Sequence, residues 1–359
     1  MHHFPVAVLI SSLPALAGGY APRADLDAGR YLKALADAEA RIREQPGDAL
    51  AWAAKSQALT ALVRVPEALQ AADQSLALKP ELAEGLLARG LARGGAAVQE
   101  RNLNSLKHIA DAMDDLKAAV KVDPSLVQAW MSLGLALEQL PGILGGSTRQ
   151  ALACADSLGK IDPVQGDLLR GTVLSLEKRW SEAEPCFRRA LAQAPGNADA
   201  IYAYLDALGS RETRQVLGDG PQKALEAQEA RRLLPAAGNR ARALTAVCDA
   251  LLDADKGEDA WKLAKEALPT VDAPSLLRLQ LGKIAARAGV HREEGLAALD
   301  QVLKEPLEGG CGGYATVHWR RGQILQALGR KDEARAAAQA ALAIDPKDPK
   351  ARRLLKDLS

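Results

Sequence analysis

The sequence predicts an all-α fold of stacked antiparallel helix pairs, and three observations carry that expectation. The 359 residues are 48% hydrophobic but only 3% aromatic, so the apolar content is mostly Ala and Leu, strong helix formers, and not the β-branched and aromatic types that strands favour. A pattern A-x3-[FA]-x2-A-x4-P recurs along the chain, most plainly as Ala183, Phe187, Ala190 and Pro195 and again as Ala334, Ala338, Ala341 and Pro346. A second helix-period segment precedes these copies at a constant offset, its small residue twelve positions upstream: Gly171 before Ala183 and Gly322 before Ala334.

The opening residues, MHHFPVAVLISSLPALAGGYAPR, hold no Asp, Glu, Lys or Arg before Arg23 and an apolar stretch from Phe4 to Leu16. With Ala15-Leu16-Ala17 as a small-residue cleavage pattern, residues 1–21 read as a secretory signal peptide, which places the mature protein in the periplasm or outside the cell; the alternative is an uncleaved leader on a cytoplasmic protein. The stretch is too short to span a bilayer, and no other apolar run approaches the roughly 20 residues a spanning helix needs. Residues 22–46 form an N-terminal helix ending at Pro46.

The array proper occupies 47–346. Its frame fits Ala68, Ala72, Ser75 and Pro80, then Ala112, Leu116, Ala119 and Pro124, then Ala151, Ala155, Leu158 and Pro163. Degenerate pairs follow around 198–235, 240–269 and 275–303, and a clear pair closes the array at 315–346. Small residues at the crossing let two helices approach closely, and the proline denies the second helix its next backbone donor. Pro80 and Pro124 are 44 residues apart and Pro124 and Pro163 are 39 apart, so extra residues are expected in loops near 94–109 and 141–147, with further insertions near 209–221 and 304–314. Residues 347–359, with Leu354, Leu355 and Leu358 on one face and five basic residues, read as a capping helix.

Trp52 and Trp130 stand four residues before the small residues Ser56 and Gly134, and Leu59, Leu137, Leu174 and Leu325 stand three residues after Ser56, Gly134, Gly171 and Gly322. With the A-x3-F, A and P positions, this resembles the tetratricopeptide repeat, whose period is about 34 residues, in a bacterial-type protein. The departures are Leu where the family often has Tyr, and Ala where it often has Phe. The resemblance implies a right-handed superhelical solenoid of about eight repeats, acting as a non-enzymatic scaffold that binds a protein or peptide along a concave face lined by the first helices. By frame, the groove positions are Gln57, Thr60, Gln128, Met131, Leu168, Thr172, Tyr202, Asp206, Asp249, Lys283, Trp319, Gln323 and Gln326. Tyr202 and Trp319 stand out because aromatic residues are scarce here and enriched at interfaces. The Lys and Asn pattern with which some relatives grip a C-terminal carboxylate is missing, since Asn102, Asn104, Asn197 and Asn239 fall outside those positions.

Other chemistries have less support. A balance of 46 Lys plus Arg against 45 Asp plus Glu, net +1, removes the basic surplus that nucleic-acid binding shows. Cys154, Cys186, Cys248 and Cys311 are widely spaced and read as isolated thiols, and His108, His291 and His318 form no ligand motif, so neither metal nor cofactor is expected. Pro141–Ser147 (PGILGGS) could present backbone donors to an anion, but reads first as a turn and helix cap. Cys311 and His318 are too loosely tied in sequence to define a nucleophile pair. A small-molecule carrier enclosing its ligand with Tyr202, Trp319 or the glycine loops is the alternative function, an enzyme a more distant one, and self-association is open.

Overall fold

The structure is a computed structural model that describes residues 25–26, 30–100, 104–307 and 313–358. The leader 1–21 and Cys311 lie outside those residues. The described residues hold nineteen α-helices, one 3-10 turn and no strand. Whereas the sequence frame runs as one array, the chain divides into two compact units, Met1–Ala194 and Pro195–Ser359.

Unit 1 begins with α1 (Tyr31–Glu44), followed by the pairs α2 (Ala49–Ala61) with α3 (Val65–Leu78), α4 (Ala83–Glu100) with α5 (Asn104–Val122), α6 (Val127–Gln139) with α7 (Thr148–Gly159), and α8 (Pro163–Leu176) with α9 (Trp180–Gln193). Unit 2 holds α10 (Ala198–Leu208), α11 (Arg211–Leu217), α12 (Asp219–Ala237), the pairs α13 (Ala241–Asp253) with α14 (Gly257–Ala267), α15 (Pro274–Ala288) with α16 (Arg292–Val302), and α17 (Gly313–Ala327) with α18 (Lys331–Ile344), and the terminal α19 (Pro349–Asp357).

The signature positions are the core. Ala68, Ala72, Ser75, Ala151, Leu158, Ala183, Phe187, Ala190, Ala334, Ala338 and Ala341 are all buried. Each crossing glycine faces what it must clear: Gly171 lies against the Phe187 ring, and a methyl added at Gly134 would stand 2.6 Å from Leu169 Cδ2. The tryptophans tie repeats together. Trp52 Nε1 donates to the Pro46 carbonyl at 3.0 Å and Trp130 Nε1 to the Pro124 carbonyl at 2.8 Å. Arg352 takes the same place in α19, donating to the Pro346 carbonyl from Nη2 at 2.6 Å, so the capping helix continues the frame. Leu354 and, just past the helix, Leu358 are buried, and Leu355 is half-buried.

Two expected loops are helical instead. The first insertion lengthens both members of a pair, α4 running on to Glu100 and α5 starting at Asn104, because residues such as Ala96, Ala97 and Gln99 favour helix and Gly95 packs against Val65. The third insertion folds as α11 and the start of α12, with Ser210 capping α11 by accepting from Thr213 N. Pro141–Ser147 remains a turn, and its backbone donors are used internally. Leu144 N and Gly146 N donate to the Pro141 carbonyl at 2.8 and 3.2 Å, Gly145 N to Gly142 at 3.0 Å, and Ser147 N to Leu137 at 2.7 Å. That turn has no donor of these four left for an anion, and Ser147 caps α7 through Gln150 N at 3.3 Å.

Candidate functional site

In unit 2 the first helices α10, α13, α15 and α17 pack side by side in that order, so side chains one repeat apart meet. Lys283 Nζ donates to Asp249 Oδ2 at 2.7 Å and Arg287 Nη2 to Asp253 Oδ1 at 2.6 Å, each bond spanning 34 residues of sequence. Gln280 Nε2 donates to the other Asp249 oxygen at 2.6 Å. On the α10 side, Arg242 Nε lies 2.9 Å from Asp199 Oδ1, and the same guanidinium sits 4.4 Å from the centre of the Tyr202 ring. On the α17 side, Arg320 and Lys350 both lie over Trp319, at 4.2 and 4.8 Å from the ring centre, and Arg320 Nη1 donates to Gln323 Oε1 at 3.1 Å.

The electrostatics of this row are those of charges partly withdrawn from water. Desolvation, then the neighbouring Asp249, hold the Asp206 carboxyl above its ordinary range, with Arg242 and Lys283 opposing. Asp199 is raised by burial against the pull of Arg242. Burial first, then Asp206, push the Tyr202 phenol up to about 12. Burial and the nearby Arg287 draw Arg320 down to about 10, Asp249 opposing. Among the described residues, no carboxylate pairs with Arg320 or Lys350 and no cation pairs with Asp206.

The structure therefore gathers Tyr202, Asp206, Asp249, Lys283, Trp319 and Gln323 on one row, with Gln326 exposed further along α17. The groove positions of unit 1 are placed otherwise. Gln57, Gln128 and Met131 are 6, 3 and 5% exposed, and Thr60 and Leu168 are buried beside them. Thr172 spends its hydroxyl on the Leu168 carbonyl at 2.9 Å. Sequence reasoning missed Asp199, Arg242, Asp253, Gln280, Arg287, Arg320 and Lys350. Asp253 and Arg287 were findable, each four residues beyond Asp249 and Lys283 and so on the same helix face.

Elsewhere the chemistry is muted. Burial pushes the Cys154 thiol up to about 11 and raises Cys186 and Cys248 as well, which leaves little nucleophilic thiolate. Among the described residues no three or more His, Cys, Asp or Glu side chains gather as a metal would need. No described helix is long and apolar enough to cross a membrane. A shallow hollow of about 380 Å³ is lined by Gly289, His291, Arg292, Glu293, Glu294 and Leu328, and includes neither Tyr202 nor Trp319.

Residues 315–348 match the family model described as tetratricopeptide repeat. Among solved structures, the chain is similar to TTC0263, a thermophilic TPR protein of Thermus thermophilus, at 24% identity over 50% of this chain and 91% of that one, with a TM-score of 0.45. It is similar to yeast Tom70 at 13% identity, covering 94% and 86% of the two chains with a TM-score of 0.46. In the Cut9-Hcn1 hetero-tetramer of APC/C, the similarity is 14% identity over 94% of this chain and 54% of that one, with a TM-score of 0.46. No curated protein matches the chain. Residues 315–348 thus match one tetratricopeptide repeat, and the same helix-pair geometry recurs in both units.

Proposed function

We propose that the chain is a non-enzymatic scaffold whose unit 2 row, on α10, α13, α15 and α17, binds an extended segment of a partner protein. The tetratricopeptide fold suggests a protein-protein interaction role in general. The observation that carries the specific reading is the ladder of Lys283 on Asp249 and Arg287 on Asp253. It fixes long polar side chains that would otherwise lose rotamer freedom on binding, so less entropy is lost when a ligand arrives. On either side of the ladder stand the two aromatic residues, Tyr202 and Trp319, which supply contact area at low entropic cost. Buried thiols with raised pKa values suit binding and not covalent chemistry. The leader-like residues 1–21 support a site of action in the periplasm or outside the cell.

Photo-crosslinking tests this. A crosslinkable residue is placed at Tyr202 or Gln323 in the native host, with Asp332 as the control because its side chain is 99% exposed away from the row. A protein adduct specific to the row is expected; equal adducts at Asp332, or none at the row despite normal expression, would contradict the reading.

A further inference from the structure

The charges of the row do not cancel locally, and the way they fail to cancel is specific. Asp199 is matched by Arg242, Asp249 by Lys283 and Gln280, and Asp253 by Arg287. Two positions are left over. Asp206 faces Asp249, Asp253, Arg242 and Lys283, of which the cations are already held by Asp199 and Asp249. Arg320 faces Arg287, held by Asp253, and Asp249, held by Lys283, while Lys350 shares the Trp319 ring with it. A half-buried guanidinium that, among the described residues, bonds to the neutral Gln323 and to no carboxylate forgoes a charge-assisted bond. One end of the row is thus left negative and the other positive.

Resting on the reading of the row as a peptide-binding surface, we infer that its ligand is a segment carrying both signs, which sets a basic side chain on Asp206 and an acidic side chain on Arg320 and Lys350. Helices packed side by side stand roughly 8–10 Å apart. Three such steps, α10 to α13 to α15 to α17, put the two sites about 25–30 Å apart. An extended chain advances ~3.3–3.6 Å per residue, so the two ligand charges are separated by roughly seven to nine residues. Complementary charges at two separated points fix register and direction, because the reversed segment brings like charges together at both ends. The ladder between them, already neutral, reads no charge and accepts polar or apolar residues.

The test is a selection of random 16-residue displayed peptides against the full chain, repeated with Asp206→Lys, Arg320→Glu and the outer-face control Asp332→Lys. The expected result is enrichment of peptides with a Lys or Arg and an Asp or Glu at one fixed separation of about seven to nine residues. Asp206→Lys reverses the preferred sign at the basic position only, Arg320→Glu at the acidic position only, and each weakens the parent peptide about tenfold or more. Asp332→Lys changes nothing. If circular dichroism shows Arg320→Glu misfolded, Arg320→Gln replaces it and is expected to erase the acidic preference. Enriched peptides that crosslink to the row but show no charge spacing, or spacing that ignores both variants, overturn the inference and leave the peptide-binding reading standing. No enrichment over the bare support overturns both.

Discussion

The two units follow one repeat frame and treat its first-helix positions in opposite ways. In unit 1 those positions, Gln57, Thr60, Gln128, Met131 and Leu168, are buried, and the buried ion network sits elsewhere, where Arg89 and Arg93 converge on Asp115 between α4 and α5 at 2.7 and 2.6 Å. In unit 2 Tyr202, Asp206, Asp249, Lys283, Trp319 and Gln323 keep exposure, and Lys283 pairs with Asp249 across one repeat. The frame alone does not decide between the two: Gln57 and Gln128 are buried in unit 1, whereas Gln323, of the same type, keeps exposure in unit 2.

The largest expected effect separates a filled position from an emptied one. Phe187 is fully buried, and Ala338 occupies the equivalent place in unit 2. Phe187→Ala should cost about 3–5 kcal/mol in urea unfolding, from lost transfer energy plus the cavity left against Gly171. A loss below about 1 kcal/mol would mean that unit 1 collapses into the space as readily as its alanine-based counterpart is built.

Next comes a titration. Glu226 is fully buried, neither of its oxygens has a hydrogen-bond partner among the described residues, and burial first, then Asp253, push it up to about 7. The folded state therefore holds a proton that the unfolded chain releases near ~4.3, so stability falls as pH rises from about 4 to about 7 and levels off above. The full span is up to about 4 kcal/mol. Denaturant midpoints measured against pH should slope downward in that window, and Glu226→Gln should flatten the slope and gain stability at pH 8. In unit 1, burial likewise raises Glu138 to about 7, with Glu177 adding to it. Because Glu138 is only partly buried, its smaller slope should survive in the Glu226→Gln variant.

A third pair of positions compares crossings. An added methyl at Gly282 would collide with the Leu299 side chain, and one at Gly134 would approach Leu169. Each Gly→Ala should cost about 1–3 kcal/mol in unfolding free energy. Gly282→Ala should be the worse, since three Leu299 atoms crowd the site. The smallest effect concerns the turn between paired helices, where Val63 has φ 63° in unit 1 and Gly329 has φ 78° in unit 2. A β-branched residue there is strained by roughly 1–2 kcal/mol, so Val63→Gly should raise the melting temperature and Gly329→Val should lower it.

Much of this is legible in the sequence, for identifiable reasons. The helix pairs are written in short-range chemistry: a small residue at the crossing, alanines facing it, a proline past the end. Hence α7 starts at Thr148 behind the Ser147 cap, and α17 and α18 occupy Gly313–Ala327 and Lys331–Ile344. The insertions at 94–109 and 209–221 mislead because excess length reads as loop, although Ala96, Ala97 and Gln99 are helix formers in their own right. The site is half legible. Tyr202, Asp206, Asp249, Lys283 and Trp319 follow from the frame, but the burial of Gln57, Gln128 and Met131 depends on how neighbouring helices close, which one repeat does not record. Arg320 and Lys350 escape because their common point is a ring, Trp319, and no sequence spacing marks that convergence.

The most direct test of the contrast between units is the rate of maleimide labelling at single cysteines. They are placed at Gln57 and Met131 in unit 1 and at Lys283 and Gln323 in unit 2, in a background where Cys311 is serine and the remaining thiols are buried. The unit 2 positions should react at close to the rate of a free thiol and the unit 1 positions about a hundredfold or more slower, waiting on local opening. Equal rates at all four would contradict the account, because the row on α10, α13, α15 and α17 would then be no more open to a partner than its counterpart.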